Sequence, residues 1–291
     1  MEVILRVKKS FQTEKFVRFR TLFLKNKLAV LASIVLFLLV ACAILAPWIS
    51  PYHWETQNVT DRLIPPGESH YLLGTDYLGR DILSYIIWGT QISIIVGVAT
   101  VAIGGVLGSI LGWIAGYFGG WVDRVIMRLA DIQLSFPYIL LTLALAAVIG
   151  PGLWNVIFVL AISSWPIYGR IARGSMLSEK EKEHVEAAKA MGFSSYRIIV
   201  HHAIPSTLSP LIVVTTLQVG RMIIAEATLS FLGVGVPTSV PTWGGLLSTG
   251  RDYLYDAWWI ATFAGAAILI TVMVINIIGD TLRDILDPKS I

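Results

Sequence analysis

Long apolar runs alternate along the chain with short stretches that are rich in charge, glycine or proline. A helix needs about 20 predominantly apolar residues to cross the hydrocarbon core of a bilayer. Six runs come close to this length, so the pattern predicts an all-α polytopic fold with six membrane-spanning helices. The predicted spans cover residues 28–49, 91–115, 125–149, 154–171, 210–232 and 258–278.

Composition agrees with this pattern and narrows the class of protein. Hydrophobic residues make up 55% of the chain and charged residues 14%, whereas a soluble domain carries about 25% charged residues. A water-soluble core of this size could not hide so much apolar surface, so we expect an integral protein of the lipid bilayer. The net charge of +3 is too small to indicate nucleic acid as a partner.

The positions of lysine and arginine predict the orientation. Short cytoplasmic loops are enriched in these residues. With six spans, 18 of them fall on the side of the two termini, and three, Arg62, Arg80 and Arg251, fall on the opposite side. Both termini are therefore expected in the cytoplasm, together with the charged stretch 178–205.

The second span carries a regular series of glycines. They recur at every fourth residue, which places them on one stripe of a helix, and small residues at this spacing let helices approach closely in lipid. We expect the stripe to pack inside the chain, with contact to a partner subunit as the alternative. The series comprises Gly104, Gly108, Gly112, Gly116 and Gly120.

Two charged residues, Arg221 and Glu226, lie within the predicted fifth span. Charges inside a span are costly and usually face a cavity or a partner, so both are candidates for lining a substrate pathway. The alternatives are neutralisation inside the chain and a position nearer the headgroups. Because the two are five residues apart, they do not share a helix face, and each should have its own partner.

Two segments are expected on the outer face. In residues 52–89, Thr75 or Asp76 can cap a short helix that would lie on the membrane surface before the second span. The segment 233–259 is rich in glycine and proline, which predicts turns, and both segments are candidates for docking an external protein. Five aromatic residues there suit a headgroup belt: Trp243, Tyr253, Tyr255, Trp258 and Trp259.

Signatures of catalysis and of metal binding are missing from the sequence. It contains no G-x-x-x-x-G-K-[ST] phosphate loop and no H-E-x-x-H helix. His201 and His202 are adjacent and point to different sides of a helix, and the single cysteine, Cys42, excludes an internal disulfide. We expect no catalytic residue, metal or cofactor on this chain, so the energy for any work must come from elsewhere.

The charged cytoplasmic stretch follows the rules of a two-helix element. Ser178, with a glutamate three residues on, fits a capping box, which predicts a helix to about Met191 that ends at Gly192. A second short helix should stop at Pro205, and Ser209 with the proline after it should start the fifth span. The element is either a solvated loop on the headgroups or a helix that docks into a groove of another protein.

Within this stretch the sequence EAAKAMG, residues 186–192, is followed by Ile204 and Pro205. This pattern resembles the EAA loop of ABC importer permeases, although His202 and Ile204 stand where that pattern has isoleucine and leucine. In that family the loop forms a coupling helix, which sits in a cleft of the cytoplasmic ATPase. The resemblance implies an ATPase contact formed by Glu186, Ala187, Ala188, Gly192, Ile204 and Pro205.

Three further stretches look like the C-type permease of dipeptide and oligopeptide importers. The resemblance implies a type I ABC importer permease fold, in a prokaryotic cell membrane, that works by alternating access. It also implies a second, B-type permease, one or two kinds of ATPase subunit carrying ATP and Mg, and a periplasmic or extracellular substrate-binding protein. Peptides are the implied substrate, and importers of nickel or oligosaccharides share this permease type. The stretches are LLGTDYLGRDILS, EATLSFLGVGVP and GDTLRDILDP.

The predicted spans divide the chain into four parts. Two other classes of membrane protein remain as alternatives, and each makes a different prediction. A stand-alone secondary transporter should carry several paired acids in mid-span, whereas only Glu226 qualifies. A membrane scaffold should keep its function when Gly192 becomes proline or Glu186 becomes lysine. The four parts are a tail (1–27), the first span with the outer segment (28–90), a five-helix permease core (91–280) with coupling helices at 178–205, and a second tail (281–291).

Overall fold

The computed structural model describes residues 23–286, and every regular segment in this range is helical. The predicted all-α class is therefore confirmed. Of the two predicted tails, residues 1–22 and 287–291 lie outside the described range. The helices are α1 Lys27–Ile49, α2 Ile82–Phe118, α3 Gly120–Leu134, α4 Tyr138–Ile149, α5 Leu153–Glu179, α6 Glu183–Ala190, α7 Ser195–Arg197, α8 Ile204–Phe231, α9 Trp243–Arg251 and α10 Trp258–Leu286.

Six crossings follow from helix length and from the direction of packing. Helices α1, α2, α5 and α10 and the continuous helical stretch Ser195–Phe231 are each long and apolar enough to span a bilayer. Contacts between α2 and α5 advance together, from Gly104 against Ala161 to Gly116 against Met176, so these two helices run parallel. The chain must return across the membrane between them, and α3 with α4 makes this return. With six crossings, residues 23 and 286 lie on the same side of the membrane, which the distribution of lysine and arginine predicts to be the cytoplasm.

The third span is a broken one, so the prediction of a single helix over residues 125–149 is wrong. Helices α3 and α4 meet at an angle of 92°. Pro137 disfavours a helical conformation at Phe136 before it. The hydroxyl of Ser135 turns back and donates to the carbonyl of Ile132 at 2.6 Å. The bend therefore has a local cause, and hydropathy does not register it.

The first span is attached to the side of the bundle, against α2 and α10. Asn26 caps α1 by accepting a hydrogen bond from the N–H of Leu28 at 3.1 Å. Its amide also donates to the hydroxyl of Thr281 on α10 at 3.3 Å, which ties the first span to the last. The buried face of α1 consists of small residues that allow close approach: Ala29, Ala32, Ala43 and Ala46.

The outer segment before α2 forms tight turns, so the prediction of a surface helix capped by Thr75 or Asp76 is wrong. Asp81 caps α2 instead and accepts from the N–H of Ser84 at 2.8 Å. Asp76 forms a buried ion pair with Arg80 at 2.7 Å, which uses the oxygens that a helix cap would need. From this cap α2 continues for 37 residues without a break.

The second outer segment consists mainly of turns and bends, as its glycine and proline content predicts, and it also contains the nine-residue helix α9. Two aromatic residues predicted for the headgroup belt are also buried in the bundle. The indole of Trp243 donates to the carbonyl of Ile86 at 3.1 Å, and that of Trp259 donates to the carbonyl of Thr75 at 3.1 Å. Tyr255 is fully exposed. These indoles are buried because each N–H finds a backbone carbonyl.

Candidate functional site

The short helix α6 has one buried face and one exposed face. Val185 and Ala188 are fully buried and cluster with Tyr117, at the end of α2, and with Ile198. The bundle thus holds α6 along one side, while the other side is free to meet a second molecule. The exposed face carries Glu186, Ala187, Lys189 and Ala190. Of the two alanines in the EAA pattern, the first therefore points outward and the second inward.

A Schellman turn ends the helix. Gly192 has a φ of +77°, its N–H donates to the carbonyl of Lys189 at 2.9 Å, and the N–H of Phe193 donates to the carbonyl of Ala188 at 3.2 Å. Nothing lies within 4 Å of the position that a Cβ would take on Gly192. Glycine is needed here for its left-handed backbone and not for space.

An aromatic cluster fixes the turn after Gly192. The guanidinium of Arg197 lies 4.4 Å from the ring centroid of Phe193. The imidazole of His202 stacks on the same ring, with centroids 5.8 Å apart and an interplanar angle of 29°. His202 is the residue that departs from the family pattern, and this stacking gives it a defined position.

The chain from Ser195 to Phe231 is one continuous helical stretch. The predicted stop at Pro205 is therefore wrong, and so is the predicted start of the fifth span a few residues later. Residues Ile198–Ala203 widen into a π-helix, in which the N–H of Ile204 bonds to the carbonyl of Ile199. Pro205 follows in the first turn of α8, where a missing N–H costs little. Ile204 and Pro205 thus form the base of the fifth span.

The connector between α5 and α6 is held by a buried carboxylate. The predicted capping box at Ser178 is wrong, because α5 continues through this residue to Glu179. The side chain of Glu179 is 5% exposed and lies 2.6 Å from Nζ of Lys182. Nε2 of His184 lies 3.2 Å from the other carboxylate oxygen. The carboxylate of Glu179 is therefore buried between two basic side chains, those of Lys182 and His184.

Lys180 links this connector to the end of α2. Its Nζ donates to the carbonyl of Gly116 at 3.0 Å. That carbonyl belongs to the last turn of α2, where carbonyl groups lack helical partners and a cation is favourable. The connector is therefore bonded to the same helix end against which α6 packs.

The glycine stripe of α2 packs against α5 within the chain. A Cβ on Gly112 would lie 2.7 Å from Cβ of Ala172, and one on Gly116 would lie 2.8 Å from Cβ of Met176. Gly120 differs, because it lies beyond α2 with nothing within 4 Å of its Cβ position. The glycines that contact α5 are Gly104, Gly108, Gly112 and Gly116.

Two ion pairs join α3 to the cytoplasmic half of α5. Both carboxylate oxygens of Asp123 accept hydrogen bonds from the guanidinium of Arg173, and Asp131 pairs with Arg170 at 2.6 Å. Sequence reasoning missed these pairs, because their partners are about 40 to 50 residues apart. It also missed Tyr117, whose only signal was its place at the end of a hydrophobic run.

Arg221 and Glu226 lie in different environments. The buried carboxylate of Glu226 accepts from the hydroxyl of Ser230 at 2.8 Å, and that hydroxyl accepts from the N–H of Val236 at 3.2 Å. Arg221 is exposed and donates to the side-chain oxygen of Gln218 at 3.2 Å. It lines a cavity between α8 and α10. The two charges do not meet in one site.

Residues 23–286 contain no group of three or more histidine, cysteine, aspartate or glutamate side chains that could hold a metal ion. His201 is exposed, and His202 is occupied by its stacking on Phe193. Cys42 is partly buried in α1.

Comparisons with known proteins assign the family. The profile of the family described as "Binding-protein-dependent transport system inner membrane component" matches residues 108–291, and that of the "N-terminal TM domain of oligopeptide transport permease C" matches residues 16–66. The probable D,D-dipeptide transport system permease protein of Escherichia coli is 41% identical over 91% of this chain and 89% of that protein. The di/tripeptide transport system permease protein of Pseudomonas aeruginosa is 40% identical over 92% of this chain and 90% of that protein.

A solved structure agrees with the fold. The inward-facing methionine ABC transporter MetNI matches with a TM-score of 0.58 and 19% identity, over 70% of this chain and 97% of that chain. The predicted type I importer permease fold with multiple membrane spans is confirmed. The chain belongs to the inner-membrane components of binding-protein-dependent transport systems.

Proposed function

We propose that this chain is one permease subunit of an ATP-driven importer of short peptides, in which α6 receives the movement of the ATPase. The observation that carries the proposal is the division of α6 into a buried face and an exposed face with Glu186 and Ala187. Such a helix can dock into a groove of another protein while it stays attached to its own bundle. The relatives are described as permeases for D,D-dipeptides, di- and tripeptides and glutathione, which supports peptides as the substrate class.

Movement of α6 would reach the first part of the bundle through α2. Val185 clusters with Tyr117, and Lys180 bonds to the carbonyl of Gly116. The glycine stripe brings α2 and α5 into close contact, and this packing would be lost if the two helices separated. A displacement of α6 would therefore carry α2 and α5 together.

A second route would run along α8. Because the stretch from Ser195 to Phe231 is helical throughout, rotation at its cytoplasmic end would turn the whole span. The indole of Trp113 on α2 donates to the hydroxyl of Thr207 on α8 at 3.0 Å, which joins the two routes. Docking of an ATPase would then shift the population between inward-open and outward-open states of the bundle.

The proposal includes the partners that such a permease requires. They are a second permease subunit, one or two kinds of ATPase subunit that hold ATP and Mg, and an external substrate-binding protein. This chain would supply half of the pathway and the contact for one ATPase, and catalysis of ATP hydrolysis would lie on the partner subunits. The lack of a phosphate loop in the sequence supports this division.

Proteoliposomes that contain the assembled transporter test the proposal, with ATP enclosed and the binding protein added outside. Uptake of radiolabelled dialanine, nickel and maltotriose is measured in parallel, with vanadate or an uncoupler added in separate arms. We expect uptake of dialanine alone, blocked by vanadate and unaffected by the uncoupler. Uptake of nickel or maltotriose instead would overturn the substrate class. Uptake that stops with the uncoupler but not with vanadate would overturn the ATP-driven mechanism.

A further inference from the structure

A groove runs between α8 and α10 towards the cytoplasm. Its upper part, which is the part farther from the cytoplasm, is a cavity of about 290 Å³. At Leu217 this cavity adjoins a second one of about 610 Å³, which extends to Ser206 on α8 and Leu286 on α10. The upper cavity is lined by Leu217, Arg221 and Ile224 on α8 and by Val272, Asn276 and Asp280 on α10.

Two residues of opposite charge, Arg221 and Asp280, line the upper cavity, and neither forms an ion pair within residues 23–286. Arg221 donates one hydrogen bond, to Gln218, and forms no ion pair with any residue between 23 and 286. Asp280 has neither an ion pair nor a hydrogen bond from its side chain in that range. Ionisable groups on a membrane-spanning face persist where they meet water or a polar ligand. An acid and a base that share a cavity without pairing are suited to a ligand that carries both signs of charge.

The register of the two helices sets the spacing of the charges. A Cβ on Gly220 would lie 3.3 Å from Val272, and one on Gly279 would lie 2.6 Å from Leu217, so α8 and α10 run antiparallel. In this register Arg221 and Asp280 stand five to nine residues apart along the groove, which is about 7–14 Å at the rise of an α-helix. An extended peptide of about two to four residues covers the same range.

We infer that this groove holds the substrate peptide during its passage, with Arg221 on the terminal carboxylate and Asp280 on the terminal ammonium. This inference rests on the proposed import of peptides. The planar guanidinium can bind a carboxylate through two parallel hydrogen bonds. Asn276, between the two charges, can donate to or accept from the peptide bond.

The same arrangement predicts tolerance of different peptide side chains. Leu217, Ile224 and Val272 provide apolar walls, and no side chain of fixed charge faces the middle of a bound peptide. The groove therefore recognises the two free termini and the distance between them. Its selectivity should lie in peptide length and in free ends, and not in side-chain identity.

Protection from alkylation tests occupancy of the groove directly. Cys42 is replaced by serine and Leu217 by cysteine in the assembled transporter, and alkylation of this chain by N-ethylmaleimide is followed by mass spectrometry. We expect millimolar dialanine to slow alkylation severalfold, and N-acetyl-dialanine amide, which lacks both charges, to have no effect. Equal rates with and without dialanine would overturn the inference. So would a cysteine that never reacts because another subunit covers it.

Uptake separates failure of this inference from failure of the proposed function. We expect Arg221→Gln and Asp280→Asn each to lower dialanine uptake by about tenfold or more, because each loses a charge-assisted hydrogen bond. Arg221→Lys keeps the charge without the planar fork and should lie between. Glu181→Gln, at an exposed acid on the cytoplasmic side and outside the groove, is the control and should import normally.

Assembly of each variant is checked by co-purification of the other subunits. If the wild type imports dialanine and the Gln and Asn variants import it at the same rate, the groove inference is wrong and peptide import stands. If the wild type imports no dialanine, the proposed function itself is wrong. For a variant that does not assemble, the alkylation experiment on the Leu217→Cys chain decides the question, since it leaves both charges in place.

Discussion

The side-chain amide of Gln133 donates a hydrogen bond to the backbone carbonyl of Ile162 at 3.0 Å. Pro166, inside α5, cannot donate to this carbonyl, because proline has no N–H. An unpaired carbonyl inside a bilayer is costly, so α3 supplies a side chain in place of the missing backbone donor. The bond also fixes the cytoplasmic half of the broken span against α5.

We expect Gln133→Leu to lower the free energy of unfolding by about 1–3 kcal/mol, because the carbonyl of Ile162 loses its donor. The indole of Trp165 also loses an acceptor, since it donates to the Gln133 side chain at 2.9 Å. In the double variant Gln133→Leu/Pro166→Ala the helical N–H returns, so part of the loss should be recovered. Thermal unfolding in detergent measures both effects, and equal stability of the single and double variants would contradict this account.

Gly112→Ala should destabilise the bundle by about 1–3 kcal/mol through overpacking. The new methyl group would collide with the carbonyl of Gly169 and the methyl group of Ala172. Gly174→Ala, on α5, is the matched control, because nothing lies within 4 Å of its Cβ position. It should be neutral or should stabilise α5 by up to about 1 kcal/mol. Thermal unfolding of both variants in detergent compares them, and a destabilised control with an unchanged Gly112→Ala variant would be the opposite of this expectation.

At Gly192, the backbone conformation decides which substitutions are tolerated. Gly192→Val should abolish or strongly reduce uptake with the protein still inserted, because a β-branched residue resists a φ of +77°. Gly192→Asn should retain most uptake, since asparagine adopts the left-handed conformation more readily. The measurement is dialanine uptake normalised to the amount of protein in the membrane. Equal uptake by the two variants would show that the turn does not matter for coupling.

Glu186→Lys should reduce uptake severely and leave stability within about 0.5 kcal/mol of the wild type, because the residue is exposed and its side chain supports no packing. Co-purification of the ATPase with this variant is expected to fall. Glu181→Lys, also exposed but placed before α6, provides a control with the same change of charge. If both variants import dialanine like the wild type, the exposed face of α6 is not the ATPase contact.

The approximate positions of the spans could be predicted from the sequence because each centres on an apolar run. The predicted first span, 28–49, differs by one residue from Lys27–Ile49. The cytoplasmic extension of α5 to Glu179 could not be predicted in the same way. There the helix carries polar residues, so hydropathy falls while the helical backbone continues.

The prolines show why the breaks and continuations of the helices could not be predicted from the sequence. Pro137 breaks a span, whereas Pro166 and Pro205 are accommodated. The difference lies in the surroundings of each proline. The distant amide of Gln133 bonds to the carbonyl that Pro166 leaves without a backbone donor, and Pro205 lies in the first turn of α8, directly after a π-helical stretch. The candidate site also has a part that could be predicted from the sequence and a part that could not. The exposed EAA pattern was visible in the sequence, but its anchor, Tyr117, lies about 70 residues earlier and is brought to α6 only by the fold.

Parallel packing of α2 and α5 also bears on how the chain enters the membrane during synthesis. Helix α2 is made first, and its glycine face has no match until α5 has been synthesised as far as Met176. In the interval the chain must cross the membrane once more through α3 and α4. During synthesis α2 therefore has to remain in lipid, or beside an insertion factor, before its close packing against α5 can form.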